Sequence, residues 1–151
     1  MKAITIIQPW ATLIAINAKQ HETRSWKTNY RGELAIHAAK KIDIDACERE
    51  PIKSILAEHG YKVDNLPTGA VVAIATLSDC QSSIGEKYQL REGVWEDGYY
   101  LSDETFIGYP EYELGDFTPG RFAWELSNVQ QLAEPIPAKG QQGFWNWEGS
   151  L

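Results

Sequence analysis

The chain opens with "KAITII", where β-branched and small residues alternate, and this alternation predicts a strand over residues 2–7. Pro9 then leads into "PWATLIAIN". Trp10, Leu13, Ile14 and Asn17 there share the three-, four- and seven-residue spacing of one helical face. Asn17 tolerates the left-handed conformation that ends a helix, so the helix is expected to stop at it. "HETRSW" returns to a period of two, which places Glu22, Arg24 and Trp26 on one face and His21, Thr23 and Ser25 on the other. "ELAIHAA" is a further strand, with Leu34, Ile36 and Ala38 on one face and His37 on the opposite one. "DIDACEREPIKSILAEHG" reads as a helix interrupted or restarted at Pro51 and stopped by Gly60. The nearly continuous apolar run of "PTGAVVAIATLSDC" predicts a strand buried on both faces, and "GRFAWELSNVQQL" predicts another. The tail, "EPIPAKGQQGFWNW", is limited by proline, punctuated by glycine and rich in aromatics.

Helices are too sparse between these strands for a doubly wound parallel sheet. The expected fold class is α+β, mainly β: a small, mostly antiparallel barrel with helices at its ends. A chain of 151 residues is expected to form one domain, residues 1–151. One stretch, about 81–116, departs from the pattern. Residues 79–116 carry ten acids against Lys87 and Arg91, with tyrosines scattered among them and only weak periodicity. It reads as an extended acidic, Tyr-rich excursion with short local structure.

Charge changes the picture more than bulk composition does. The formal net charge is −7, which argues against a general nucleic-acid coat. It is unevenly placed: residues 1–41 sum to +5 and residues 42–151 to −12. The basic first quarter is either a solvated face or a local basic cleft whose acidic surroundings repel long polyanions. Cys47 and Cys80 have no CxxC spacing and are expected to be reduced and buried. The three histidines have no partners at ligand spacing, so neither a metal nor a cofactor is expected. No apolar run approaches the length of a membrane span and no signal-peptide pattern is present, so the expected location is cytoplasmic.

The densest chemistry lies in "NAKQHETRSW", residues 17–26. Glu22 and Arg24 are close enough to form a strand-surface ion pair, worth at most about 1 kcal/mol. With Lys19 and Trp26 beside them they also make up a nucleobase grip. A carboxylate accepts from an exocyclic amine, a guanidinium forks onto two acceptors, an ammonium neutralises phosphate and an indole stacks. The spacing Lys19-x-x-Glu22-x-Arg24 resembles the G-x-K-x-x-E-x-R signature of the ASCH family, a branch of the PUA-like barrels. Asn17 stands at the glycine position. "QPWATLI", "RSWKTNYRGELAIHAAKK", "PTGAVVAIATLSDC" and "LGDFTPGRFAWELSNVQQLAEPIPAKGQQGFWNW" are similar to the family's helix, strands and tail in the same order.

This resemblance implies a five- or six-stranded barrel with a cleft between the first helix and the barrel mouth, and RNA or a modified nucleoside as its ligand. The expected ligand-binding residues are Lys19, Glu22, Arg24, Trp26, Tyr30 and Arg31, with Lys139 and Trp145 of the tail forming a second wall. Some ASCH members remove the acetyl group from N4-acetylcytidine and others act as ribonucleases, so a small hydrolase at the same cleft is the alternative. Lys19 and Glu22 are then its catalytic candidates. In the amidohydrolase members a threonine occupies the position held here by Glu22, and alternation turns the neighbouring Thr23 to the other face. A third possibility is a protein partner bound through the acidic excursion.

Overall fold

The computed structural model describes residues 1–149. In chain order the elements are β1 (Lys2–Gln8), α1 (Trp10–Ala15), β2 (His21–Arg24), β3 (Gly32–Ile42), α2 (Ile44–Glu48) and α3 (Ile52–Glu58). They continue with β4 (Ala70–Arg91), β5 (Val94–Leu101), β6 (Phe106–Ile107), β7 (Phe122–Pro137) and β8 (Phe144–Asn146). The fold is mainly β with few helices, as the sequence implies. The principal sheet runs β2-β7-β4-β3-β1-β8, with β5 and β6 attached to β4 as a side branch. Among the described residues only β1 and β3 pair in parallel; the other ladders are antiparallel.

The expected closed barrel is not completed by backbone pairing. Among the described residues no ladder joins β2 to β8, because both edge strands are short, at four and three residues. β8 covers β1 only over Lys2–Ile4, so the edge of β1 is open from Thr5 onward. Side chains cross the gap instead. The Arg24 Nη2 donates to the Thr5 carbonyl at 2.9 Å, and the Trp26 indole meets Phe144 edge-on at 5.5 Å.

The sheet interior is filled by Ile4, Leu34, Ile36, Leu77 and Trp124. Trp124 is fully buried, and truncating such a residue to alanine typically costs about 3–5 kcal/mol. A second apolar cluster (Leu13, Ile52, Leu56 and Leu114) joins α1 to α3 and to the turn at Leu114. Local signals act as the sequence suggests. Asn17 has φ 64° and Gly60 has φ 81° at the helix ends, and the Asp43 side chain caps α2 by accepting from the Ala46 N–H. Cys47 and Cys80 are buried and free. No helix among the described residues is long and apolar enough to cross a membrane.

The acidic excursion is more regular than expected. β4 runs for 22 residues; its first part lies between β3 and β7, and from Ser83 it pairs with β5 as a projecting hairpin. Glu92 and Gly93, both at positive φ, turn the tip. The sequence shows little periodicity there because both faces of the ribbon meet solvent. Tyr88 is 70% exposed, Leu90 56% and Trp95 67%, so no core selects an apolar face.

Candidate functional site

The site begins where α1 ends. Asn17 turns the chain, and Lys19 then projects inward just before β2. Lys19 is only 1% exposed, and its ammonium donates to the Leu114 carbonyl, 95 positions away in sequence. Its Nζ also lies 5.7 Å from the centre of the Trp10 ring. Burial lowers the Lys19 pKa from its ordinary value; Glu22 and Glu111 oppose that shift and Arg24 adds to it. Gly115 makes room for the amine: a Cβ there would stand 3.0 Å from Lys19 Nζ and 3.3 Å from Thr23 Oγ1.

β2 supplies the next two groups. Arg24 Nε donates to Glu22 at 2.9 Å while its Nη2 holds the Thr5 carbonyl. The guanidinium is thus fixed at both ends, and the Glu22 carboxylate is aligned beside it. The Glu111 carboxylate accepts from the backbone N–H groups of Gln20 and His21, and so fastens the 3₁₀ turn Glu111–Leu114 to the start of β2. That clamp carries Leu114 and Gly115 to Lys19.

Lys19, Glu22 and Arg24 all line one cleft of about 1010 Å³. Its cations are Lys19, Arg24, Lys41, Arg49 and Arg121, and they face an equal number of acids: Glu22, Asp43, Asp45, Glu113 and Asp116. Trp10, Tyr99, Tyr112 and Phe117 add aromatic surface, and the Tyr99 ring lies 6.0 Å from Tyr112 and 6.1 Å from Phe117. Burial first, then the carboxylates near them, pushes the Tyr99 and Tyr112 phenols above their ordinary pKa. They therefore remain hydrogen-bond donors at neutral pH. The Thr118 side chain and N–H, with a lesser contribution from Arg121, hold the Asp116 carboxyl below its usual range. Arg121 donates through Nη2 to the Thr23 carbonyl, whereas its buried Nε has no hydrogen-bond partner among the described residues.

The remaining sequence candidates fall outside this cleft. β2 ends at Arg24, so alternation no longer governs Trp26. Its indole packs edge-on against Trp124 at 4.7 Å and against Phe144. Tyr30 donates to the Glu33 carbonyl and packs against Phe144, and Arg31 pairs with Asp79 at 3.6 Å. Lys139 lines a second cavity, and Trp145 is buried against His37 at 5.3 Å. Thr23 departs from expectation in the other direction. β2 is an edge strand, and the segment at Gly115–Thr118 folds over it, so both of its faces border the cleft. Gln8 and Thr12 satisfy each other and cap the start of α1. No group of three or more His, Cys, Asp or Glu among the described residues is placed to hold a metal ion.

The sequence gives no local signal for Leu114, Gly115, Glu111 or Arg121, since each reaches the cleft through contacts from far along the chain.

Residues 4–136 match the family model described as "ASCH domain". The chain belongs to the ASCH domain family. This ASCH domain is 24% identical over 151 residues to the human protein "Activating signal cointegrator 1", covering 98% of this chain and 22% of that protein. It is 25% identical to the Mus musculus protein of the same name, with the same coverage. It thus spans about a fifth of the length of these curated relatives. Among solved structures it is similar to a mutant ASCH protein from Zymomonas mobilis, with a TM-score of 0.45 and 18% identity over 90% of this chain and 74% of that one.

Proposed function

We propose that the cleft binds an unpaired base of single-stranded RNA or a modified nucleoside. The observation that carries this reading is the convergence of Lys19, Glu22 and Arg24 on one hollow with aromatic walls. The Glu22 carboxylate accepts from an exocyclic amine, the Arg24 fork meets ring or carbonyl acceptors, and the aromatic rings supply stacking surface. The cleft volume suits a ligand of nucleotide size. Membership of the ASCH family supports the same ligand class. Titration calorimetry with short single-stranded RNAs and free nucleosides tests it. Saturable binding that Arg24→Ala removes while the far-UV spectrum is unchanged supports the proposal; binding indifferent to Arg24→Ala overturns it.

A second reading, hydrolysis of a modified nucleoside at the same cleft, is favoured by one observation. Lys19 lines the cleft beside Glu22 and Thr23, and desolvation shifts the pKa of its amine downward, the direction that a general base on water requires. Release of cytidine and acetate from N4-acetylcytidine, above the level of a Lys19→Ala control, is the test.

The solvated hairpin is a candidate surface for a protein partner. Because Tyr99 and Glu111 help build the cleft wall, its test is a deletion confined to the ribbon distal to the Lys87–Gly98 pair.

A further inference from the structure

Beside the cleft lies a second cavity of about 940 Å³, and Thr5 lines both. It differs in its charge: Lys40 and Lys139 line it and no carboxylate does, in a chain whose net charge is −7. The rest of its lining includes Gly69, Gly140, Gln141 and Gln142.

The positions of the two lysines are set by structure. On β3, Lys40 and Lys41 are consecutive, so the pleat sends one to each cavity. The stem of Lys40 lies across Gly69, where a Cβ would meet its Cγ at 3.6 Å and its Cε at 3.7 Å. Lys139 comes from the loop that follows β7. Among the described residues neither lysine is in an ion pair.

The loop itself is seated on a buried network. Trp145 Nε1 donates to Thr5 Oγ1 at 3.0 Å, Thr5 Oγ1 and His37 Nδ1 are 3.1 Å apart, and His37 Nε2 and the Ala138 carbonyl are 2.7 Å apart. A carbonyl only accepts, so Nε2 carries a proton; in the neutral ring Nδ1 then takes the Thr5 hydroxyl hydrogen. Both His37 nitrogens are therefore committed, and His37 acts as a positioning residue. Gly140 rests directly on this network: a Cβ there would lie 2.6 Å from Thr5 Oγ1 and 2.7 Å from His37 Cε1. Among the described residues none of the backbone N–H groups of Lys139–Gln142 finds an acceptor within the chain. A glycine loop whose N–H groups find no acceptor among the described residues, lining one cavity with two unpaired lysines and no acid among those residues, is the chemistry that receives an oxyanion.

We infer that this cavity is a separate anion site that takes a phosphate group, held by Lys40, Lys139 and the backbone of the Gly140 loop. It stands on its own observations and does not depend on the ligand of the neighbouring cleft. Amide-resolved NMR of the full chain, titrated with inorganic phosphate against chloride at constant ionic strength, tests it. Phosphate should give saturable shifts at Gly140, Gln141 and Gln142. The Lys40→Ala/Lys139→Ala double variant should weaken that response by roughly tenfold or more, while Arg24→Ala leaves it intact. Equal shifts with chloride, no saturable shift, or an unchanged double variant overturns the inference. Parallel titrations with a ribonucleoside 5′-monophosphate and with a short oligoribonucleotide lacking terminal phosphates identify the source. A stronger response to the first assigns the site to a terminal phosphate; a stronger response to the second assigns it to the RNA backbone.

Discussion

The cleft at Lys19 and the cavity at Lys139 meet at Thr5 but follow opposite designs. In the cleft the acids equal the cations in number, and the key groups are tied to the protein: Lys19 to a carbonyl, Arg24 to Glu22 and Thr5. Such a surface reads donors and acceptors on a ligand and has little net attraction for charge. Among the described residues the second cavity has cations without acids and backbone donors without acceptors, so it attracts negative charge and reads little else. Thr5 joins them chemically as well, its carbonyl holding Arg24 and its hydroxyl bridging Trp145 and His37. The lesson is that a basic segment in sequence need not make a basic face. Of the cations in residues 1–41, Lys19, Arg24 and Lys41 line a cleft that holds as many acids as cations, while the pleat sends Lys40 to the other cavity.

The largest effect expected from this contrast is on Arg24. Arg24→Ala removes a fork and frees the Glu22 carboxylate, and should weaken nucleoside or RNA binding in the cleft by between about tenfold and a hundredfold. Arg24→Lys should not restore it, because one ammonium cannot hold Glu22, Thr5 and a ligand with the same planar geometry. Phosphate shifts at the Gly140 loop should be unmoved by either change. Calorimetry and NMR on the same variants check both halves, and coupled losses at both cavities break the comparison.

Lys19 gives the next effect, through pH. Its pKa is lowered in the folded state, so between that lowered value and about 10.4 the unfolded chain holds a proton that the folded chain has released. Stability relative to Lys19→Met therefore rises with pH through that window, by up to about 1.4 kcal/mol per unit, and is flat outside it. Denaturant unfolding of both proteins from pH 7 to 10.5 measures the difference; a difference that falls as pH rises contradicts a desolvated amine. Gly115→Ala should act on the same amine more mildly. Gly115 has extended backbone, so the fold should persist, while the added methyl crowds Lys19 Nζ and Thr23 and weakens cleft binding a few fold. Nucleoside titration of the variant reads this directly.

What could be read from sequence follows the range of the forces involved. The mainly β class, the helix that Asn17 ends, the break at Pro51 and the doubly buried strand from Ala70 all came from local pattern, because core burial imposes periodicity on the residues that satisfy it. Lys19, Glu22 and Arg24 were legible because they occupy one turn and one short strand. Trp26 was misplaced because alternation was carried two residues past the end of β2. Thr23 stays on the opposite face of β2, but nothing local shows that a distant segment folds over an edge strand and brings that face to the cleft as well. The hairpin looked irregular because a ribbon solvated on both faces needs no apolar alternation. Lys139 lines the second cavity and not the cleft, because proximity of the tail to β1 does not say on which side of Thr5 a loop settles. That choice rests on Gly140, whose lack of a side chain lets the loop lie against His37.

The smallest expected effect is also the most discriminating, since it separates the two cavities by electrostatics alone. Binding that neutralises a phosphate releases condensed counterions, and for single strands each contact contributes about 0.7 to the slope of log affinity against log salt. The cleft is balanced in charge, so a free nucleoside should bind it with almost no salt dependence. An oligoribonucleotide that also reaches the second cavity should acquire a slope, and the Lys40→Ala/Lys139→Ala double variant should reduce that slope by about 0.7 for one phosphate. Arg24→Ala should lower affinity at every salt concentration and leave the slope nearly unchanged, because the ligand contacts proposed for it are hydrogen bonds to base edges. Affinities measured across a tenfold range of salt decide it. A slope that disappears with Arg24 and survives loss of both lysines would place the phosphate in the cleft and reverse the roles given to the two cavities.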